Sequence, residues 1–328
     1  MASTLNNKKY NIAITGANGF IGQHLTQKLI ENKHSIKALV RRKTFDHIKN
    51  DNLEEIIIDD ITDSNIILKS LENVDIIFHL VGKTHSQSNK YDEYYKTNVL
   101  GTKVLSQAAL KTNVKKIIML SSVKVNGEGF LNKNFVYKEK DEPAPLDNYG
   151  KSKLEAEKIL SSSLSKEPMG YVILRAPLVY GQNVKGNLKN LMKYIYKGLP
   201  LPIPHKDNRR SMIGIENLCD AMISCAFCEK ATKNIFLVSD DVVVSTRYLF
   251  NEIAKAMKKK PILLYVPYHV LKLAFWCLGK SNSVDKLFYS LEVNNALIKN
   301  TTGWNPNTSF EKQIKNMVDS FQISINIK

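Results

Sequence analysis

Cysteine is scarce in this chain, with four in 328 residues: Cys219, Cys225, Cys228 and Cys277. Cys225 and Cys228 form a CxxC, but no second pair and no nearby histidine completes a metal set. They sit in AMISCAFCEK, an apolar helical pattern, and read as buried thiols with no metal bound. No run is long and apolar enough to cross a membrane. The opening MASTLNNKKYNIAITG lacks the charged start, apolar core and cleavage site of a signal peptide, which predicts a cytoplasmic protein. There is no internal repeat and no low-complexity tract. Nor is there a basic block. The formal net charge of +16 would suit nucleic acid, a membrane surface or a small phosphorylated substrate. The lysines, however, are spread through KKYN, KNDN, KTNVKK and KKKP, which reads as a general Lys/Asn bias, and no nucleic-acid partner is expected.

What is present is ordinary globular material, 43% hydrophobic and 24% charged, in a chain long enough to bury a large core. Short β-branched runs alternate with amphipathic helical patterns. YNIAIT, SIKALV, EEIIID, VDIIFHL, KKIIML and YVILRA read as strands, and HLTQKLIEN, NVLGTKVLSQAALKT and SKLEAEKILSSSL as helices. Nearly continuous apolar strands alternating with helices predict a parallel sheet covered on both faces, the doubly wound α/β (Rossmann) architecture. After Gly181 the texture changes, and GLPLPIPHKDNRRS introduces a smaller C-terminal lobe. The predicted division is residues 1–180 for the dinucleotide-binding domain and 181–328 for the lobe, with about 233–258 returning to the first sheet.

TGANGFIG joins the first strand to the first helix. Gly16, Gly19 and Gly22 in that context supply a tight bend, a close backbone approach and tight helix packing, which cradle a pyrophosphate at a helix N-terminus. An acidic residue at the end of the second strand would bind the ribose of NAD, but ALVRRK offers none. Arg41 and Arg42 stand there instead, able to pair with the 2′-phosphate of NADP or to remain solvated surface charges. The chemistry is read from LSSVKVNGEG and DNYGKSKLEAEK, which supply Ser122 and the pair Tyr149 and Lys153. Four residues apart on one helix face, the ammonium can stabilise a phenolate and lower the tyrosine's pKa. Such a tyrosine can exchange a proton with a sugar hydroxyl or ketone. Tyr268 and Lys272 repeat the spacing. They lie in the apolar stretch from Tyr265 to Leu278, which reads as a core helix with a snorkelling lysine, since Pro267, His269 and Lys272 interrupt it as a membrane element. No stable membrane insertion is expected.

Taken together, TGANGFIG, FHLVG, TNVLGT, LSSVKVNGE, YGKSK, LRAPLVYG and the late GW resemble the extended short-chain dehydrogenase/reductase family, the NAD(P)-dependent epimerases and dehydratases of nucleotide sugars. The resemblance runs over nearly the entire chain and is strongest to the UDP-glucose 4-epimerase-like branch. It implies catalytic Ser122, Tyr149 and Lys153, and a cofactor site of Gly16, Gly19, Phe20, Ile21, Gly22, Asp60, Ile61, Leu80 and Lys153, with Arg41 and Arg42 at the adenosine end. It further implies a UDP-sugar substrate held by Asn187, Leu188, Arg210 and Lys286, and a homodimer packed through the helices containing Asn98 to Lys111 and Tyr149 to Leu160. Two departures from the family pattern matter. Val123 and Lys124 replace the Asp–Glu pair of the 4,6-dehydratases, which argues against a dehydratase. The basic end of the second strand shifts weight toward NADP(H), with NAD still possible, and so toward a 4-keto-sugar reductase over a 4-epimerase; both remain open at this point.

Overall fold

The computed structural model describes residues 8–45, 50–84, 90–131, 135–204, 206–277 and 282–326, apart from the side chains at 282, 283, 286 and 326. The chain forms two compact units. The first comprises residues 1–125, 145–175 and 222–236, and the second 126–144, 176–221 and 237–328.

The first unit is built on a seven-stranded sheet. Its labelled strands are β1 (Asn11–Thr15), β2 (Ser35–Val40), β3 (Leu53–Ile57), β4 (Ile76–His79) and β5 (Lys116–Ser122). From one edge the order is 234–237, 170–176, β5, β4, β1, β2, β3, and β1 to β5 pair in parallel. Every residue of β4 is buried, as expected for a central strand covered on both faces, whereas β3 at the edge is largely half-exposed. This is the doubly wound sheet that the alternating pattern predicted. Its helices are α1 (Phe20–Glu31), α2 (Ser64–Ser70), α3 (Tyr91–Tyr94), α4 (Gly101–Lys111) and α5 (Asn148–Leu164). Leu105 of α4 and Leu160 of α5 pack with Ile77, Ile117, Met119 and Ile173 of the sheet in one buried cluster. The sheet order reverses between β1 and β4, so the loops after these two strands diverge and leave a crevice at their carboxyl ends.

The second unit carries a three-stranded sheet in the order 243–244, 210–214, 178–180. Its centre is a buried polar node. The Asp240 carboxylate accepts from the Tyr180 hydroxyl (2.7 Å), the Asn217 amide (2.7 Å) and the Gly214 N–H (3.0 Å), while Asn217 Oδ1 accepts from the backbone of Asn307 and Thr308.

One element of this unit corrects the sequence reading. The helix Tyr268–Cys277 is not a core helix. Only Leu271 of it is buried, while Val270, Leu273 and Trp276 are 59%, 65% and 69% exposed. Nor does Lys272 snorkel to water: its ammonium lies 2.6 Å from both carboxylate oxygens of Asp285. Apolar composition alone does not reveal which side of a helix faces the interior. Here the inward side took the lysine because an acid on the neighbouring helix pairs with it. Leu278 lies outside the described residues.

Candidate active site

The cofactor loop follows from glycine geometry. Gly16 has φ of +72°, a conformation glycine tolerates without strain, and its N–H donates to the Leu39 carbonyl at 3.1 Å. A Cβ on Gly22 would stand 2.3 Å from the Gly16 carbonyl oxygen and 2.6 Å from that of Ala17, so only glycine lets α1 pack this closely on the turn. Gly19 caps α1 with no side-chain hydrogen bond, and the first turn carries no acidic residue. Phe20 and Ile21 lie in that turn. The helix start therefore offers its N–H groups and partial positive charge to an anion.

A cavity of about 590 Å³ opens beside this loop. Gly16, Gly19, Arg41, Asp60, Ile61 and Leu80 all line it, whereas Arg42 does not. Asp60 Oδ1 accepts from the N–H and hydroxyl of Thr62, and its Oδ2 is 2.7 Å from Lys96 Nζ; these hydrogen bonds hold its pKa down at about 2. Ile61 is fixed against α4, where a Cβ on Gly101 would come within 2.7 Å of it. Asp59 also lines the cavity, so two carboxylates share it with Arg41.

Several residues inside the quoted motifs have roles that the motifs alone did not assign. His79, fully buried at the end of β4, joins Thr15 Oγ1 (2.8 Å) to Thr102 Oγ1 (3.0 Å). The Thr102 hydroxyl donates to the Asn98 carbonyl, so Nε2–H donates to Thr102 and Nδ1 accepts from Thr15. Burial and the nearby Lys153 charge lower the His79 pKa to about 3, so the ring is neutral and serves as a fixed strut across the crevice. Thr15 Oγ1 also accepts the N–H groups of Leu80 and Val81. Asn98 sits in a π-helical turn, Tyr95–Leu100, ahead of α4. It exchanges hydrogen bonds with the backbone of Lys83 and donates to Ser152 Oγ at 2.8 Å. The β4 loop is thereby tied to the helix that carries Tyr149.

Ser122 ends β5, and Tyr149 and Lys153 stand one turn apart on α5 in the same unit. Asp147 caps α5 by accepting from the Gly150 N–H at 2.7 Å and also pairs with Lys124, just beyond Ser122. A Cβ on Gly150 would lie 2.7 Å from the Lys124 carbonyl oxygen, so the YG step lets the helix start lie directly on the chain leaving β5. The Tyr149 hydroxyl is hydrogen-bonded with Ser122. Lys153, 3% exposed, donates to the Leu120 carbonyl at 2.7 Å.

The electrostatics differ from the reading of the spacing alone. Tyr149 is pushed up to about 12, chiefly by desolvation, against a smaller downward pull from Ser122. Lys153 is lowered to about 8 by burial, partly offset by the Glu157 carboxylate one turn on. The expected lowering of the tyrosine is therefore absent in this state. The sequence showed a cation within reach but not how dry the site would be. Glu157 itself is buried with Arg175, whose guanidinium donates to both carboxylate oxygens, and accepts from Ser121.

The residues assigned to the substrate belong to the second unit. Asn187 and Leu188 begin the helix 187–196, with Leu188 buried. Arg210, on strand 210–214, donates to the Tyr289 carbonyl at 2.9 Å, and desolvation lowers its pKa to about 10. Lys286 lies in the helix Asn282–Phe288, but its side chain lies outside the described residues.

A glycine turn at the switch point of a parallel sheet, with Ser122 bonded to Tyr149 on the helix that carries Lys153, has the form of an extended short-chain dehydrogenase/reductase. The sequence profile described as the NAD dependent epimerase/dehydratase family matches residues 12–237, and the chain belongs to that family. It is 35% identical over 317 residues to the UDP-glucose 4-epimerase of Vibrio cholerae, covering 95% of both chains. It is 27% identical over 284 residues to N-acetyl-alpha-D-glucosaminyl-diphospho-ditrans,octacis-undecaprenol 4-epimerase of Escherichia coli O157:H7, covering 86% of this chain and 82% of that one. Among solved structures it superposes on UDP-glucuronic acid 4-epimerase from Bacillus cereus in complex with NAD, with a TM-score of 0.80 at 19% identity over 95% and 96% of the two chains. The preference for NADP(H) drawn from Arg41 and Arg42 finds no support in these comparisons, and Arg41 shares its cavity with two carboxylates.

Proposed function

We propose that this chain is a UDP-hexose 4-epimerase that retains NAD through each turnover. The observation that carries the reading is its likeness to the Vibrio cholerae enzyme along 95% of the chain, supported by the hydrogen bond between Ser122 and Tyr149 on the helix that also carries Lys153. The cradle fits a dinucleotide, because glycine at 16, 19 and 22 lets the turn fold tightly and brings the N-terminus of α1, with its free N–H groups, to the cavity. The first turn of α1 would hold the pyrophosphate, Asp60 and Ile61 the adenosine end, and Lys153 the nicotinamide ribose.

When bound, the nicotinamide would accept the C4 hydride in its oxidised form and return it from its reduced form, and the positive charge of the oxidised form would favour the Tyr149 phenolate. Tyr149 takes the proton from the C4 hydroxyl and returns it once the sugar has presented its other face. Ser122, already bonded to the Tyr149 hydroxyl, holds the same sugar oxygen. Lys153 in its charged form adds to the stabilisation of the phenolate. Asn187, Leu188 and Arg210 are assigned to the nucleotide diphosphate. The same reading makes the protein a cytoplasmic homodimer through α4 and α5, serving polysaccharide precursor synthesis, a context suggested by the undecaprenol-linked relative.

The direct test incubates purified protein with UDP-glucose and with UDP-GlcNAc and separates the sugars while following nicotinamide absorbance. Interconversion of gluco and galacto forms without net cofactor loss is expected. Stoichiometric NADPH consumption seen only with a UDP-4-keto-6-deoxyhexosamine would make it a reductase and overturn the proposal. Cofactor choice has its own test. Arg41→Ala with Arg42→Ala is expected to change NAD affinity by less than about threefold, since surface charge contributes little. A tenfold loss confined to NADP(H) would show that the arginines serve a 2′-phosphate.

A further inference from the structure

The helix Tyr268–Cys277 has its polarity reversed for a surface element. Its inward side, Tyr268, Leu271, Lys272 and Phe275, packs with Val284 and Phe288 and places the only charge of the helix in the Asp285 pair. Its outward side presents Val270, Leu273, Ala274, Trp276 and Cys277, with His269 the one polar group among them. An ordinary surface helix turns its charges to water. The strand just before it, Leu263–Tyr265, is also exposed at Leu264 and Tyr265, and Ile262 beside it is 51% exposed. Exposed apolar side chains of this kind, on a strand and on the helix that follows it, point to a docking site.

The charges flanking this stretch identify the occupant. From Lys255 to Cys277 the chain has five lysines and no carboxylate. Lys255 is near Glu252 and Lys272 is held by Asp285, whereas Lys258, Lys259 and Lys260 are exposed and no carboxylate pairs with them among the described residues. Lys259 lies instead over the Tyr196 ring at 4.4 Å, and the Arg247 guanidinium lies 5.2 Å from the Tyr265 ring centroid. Apolar side chains, an exposed Trp and Tyr, and unneutralised lysines together suit the headgroup boundary of an anionic bilayer. A second copy fits worse, because a two-fold contact would set the same lysines against each other. Among the described residues no helix is long and apolar enough to cross a membrane, so this ten-residue helix would lie along the surface.

We propose that residues 258–277 form a docking face for anionic phospholipid membranes, holding the protein at the bilayer surface through the outward side of the 268–277 helix and the lysines that precede it. This inference does not depend on the epimerase reading, because it concerns binding alone.

Flotation of the full chain with vesicles of phosphatidylcholine, with and without phosphatidylglycerol, tests it. Wild type should partition about tenfold more strongly to the anionic vesicles and lose binding as salt rises. Leu273→Glu with Trp276→Glu, both exposed positions, should lower that partition about tenfold with unchanged thermal unfolding, and charge reversal at Lys258, Lys259 and Lys260 should do the same. The chain has two tryptophans, and Trp304 is 4% exposed, so the blue shift on vesicle binding should come from Trp276 and vanish in Trp276→Phe. No flotation with anionic vesicles, or equal flotation of the double glutamate variant, would overturn the proposal. So would a change of oligomeric state in that variant, which would assign the face to a second copy.

Discussion

Tyr149→Phe is expected to lower epimerase turnover by about a hundredfold to ten-thousandfold, the range for a lost general acid–base group, while leaving NAD binding almost unchanged. The ring stays, its surroundings stay, and only the hydroxyl that bonds with Ser122, to which the proton exchange is assigned, is removed. Steady-state assays together with fluorescence titration of NAD would separate the two effects. Full activity in the variant would remove Tyr149 from the mechanism. In wild type the pH profile should have two limbs. Turnover rises with pH as the phenol, pushed up to about 12 in the unliganded state, is brought into range by the charge of the bound cofactor. It falls as Lys153, lowered to about 8, gives up the proton that makes it a cation. Burial disfavours that cation, so the unfolded chain holds more protons than the folded one between about pH 8 and the normal lysine range, and this group alone makes folding more favourable as pH rises through that window.

Glu157→Gln is expected to cost about 3 to 5 kcal/mol, because it leaves the Arg175 guanidinium buried without its counter-charge. Both side chains of the pair are 3% exposed, so solvent does not screen them. Calorimetry or urea unfolding should show the loss, on the order of 10 °C in Tm if the chain unfolds in one step. A second readout distinguishes this from ordinary destabilisation. Glu157 is the charge that holds the Lys153 pKa up, so the basic limb of the pH profile should move to lower pH in the variant. An unchanged limb would mean that the two charges are not coupled through the site.

The sequence made the sheet and the glycine cradle legible because both rest on local, one-dimensional signals: continuous apolar runs, and glycines at the strand-to-helix step. It also singled out Ser122, Tyr149 and Lys153 by residue type and spacing, the residues to which the chemistry is assigned. It did not show their protonation energetics, since desolvation depends on everything packed around them. What His79 and Asn98 do was hidden for a related reason, although both stand in motifs that the sequence displays. Their work is to bridge segments 23 and 54 residues apart in the chain, and no local pattern marks a bridging hydrogen bond. The 268–277 helix failed most instructively, because its composition was read correctly and its orientation was not. What turned it was Asp285, which accepts Lys272 from the neighbouring helix, a partner the helical stretch itself does not contain.

The discontinuous make-up of the two units has a consequence for synthesis on the ribosome. The sheet of the first unit receives its edge strand from residues 234–237, after the chain has already begun the second unit with 126–144 and 176–221. Until that strand emerges, the 170–176 strand stands as an open, largely apolar edge, the kind of template that recruits other nascent chains. The Asp240 node in turn waits for Asn307 and Thr308 to complete the surroundings of Asn217. Truncated products ending before about residue 237 should therefore aggregate rather than persist as a half-size dinucleotide-binding fragment, and neither unit matures without chain made late in translation.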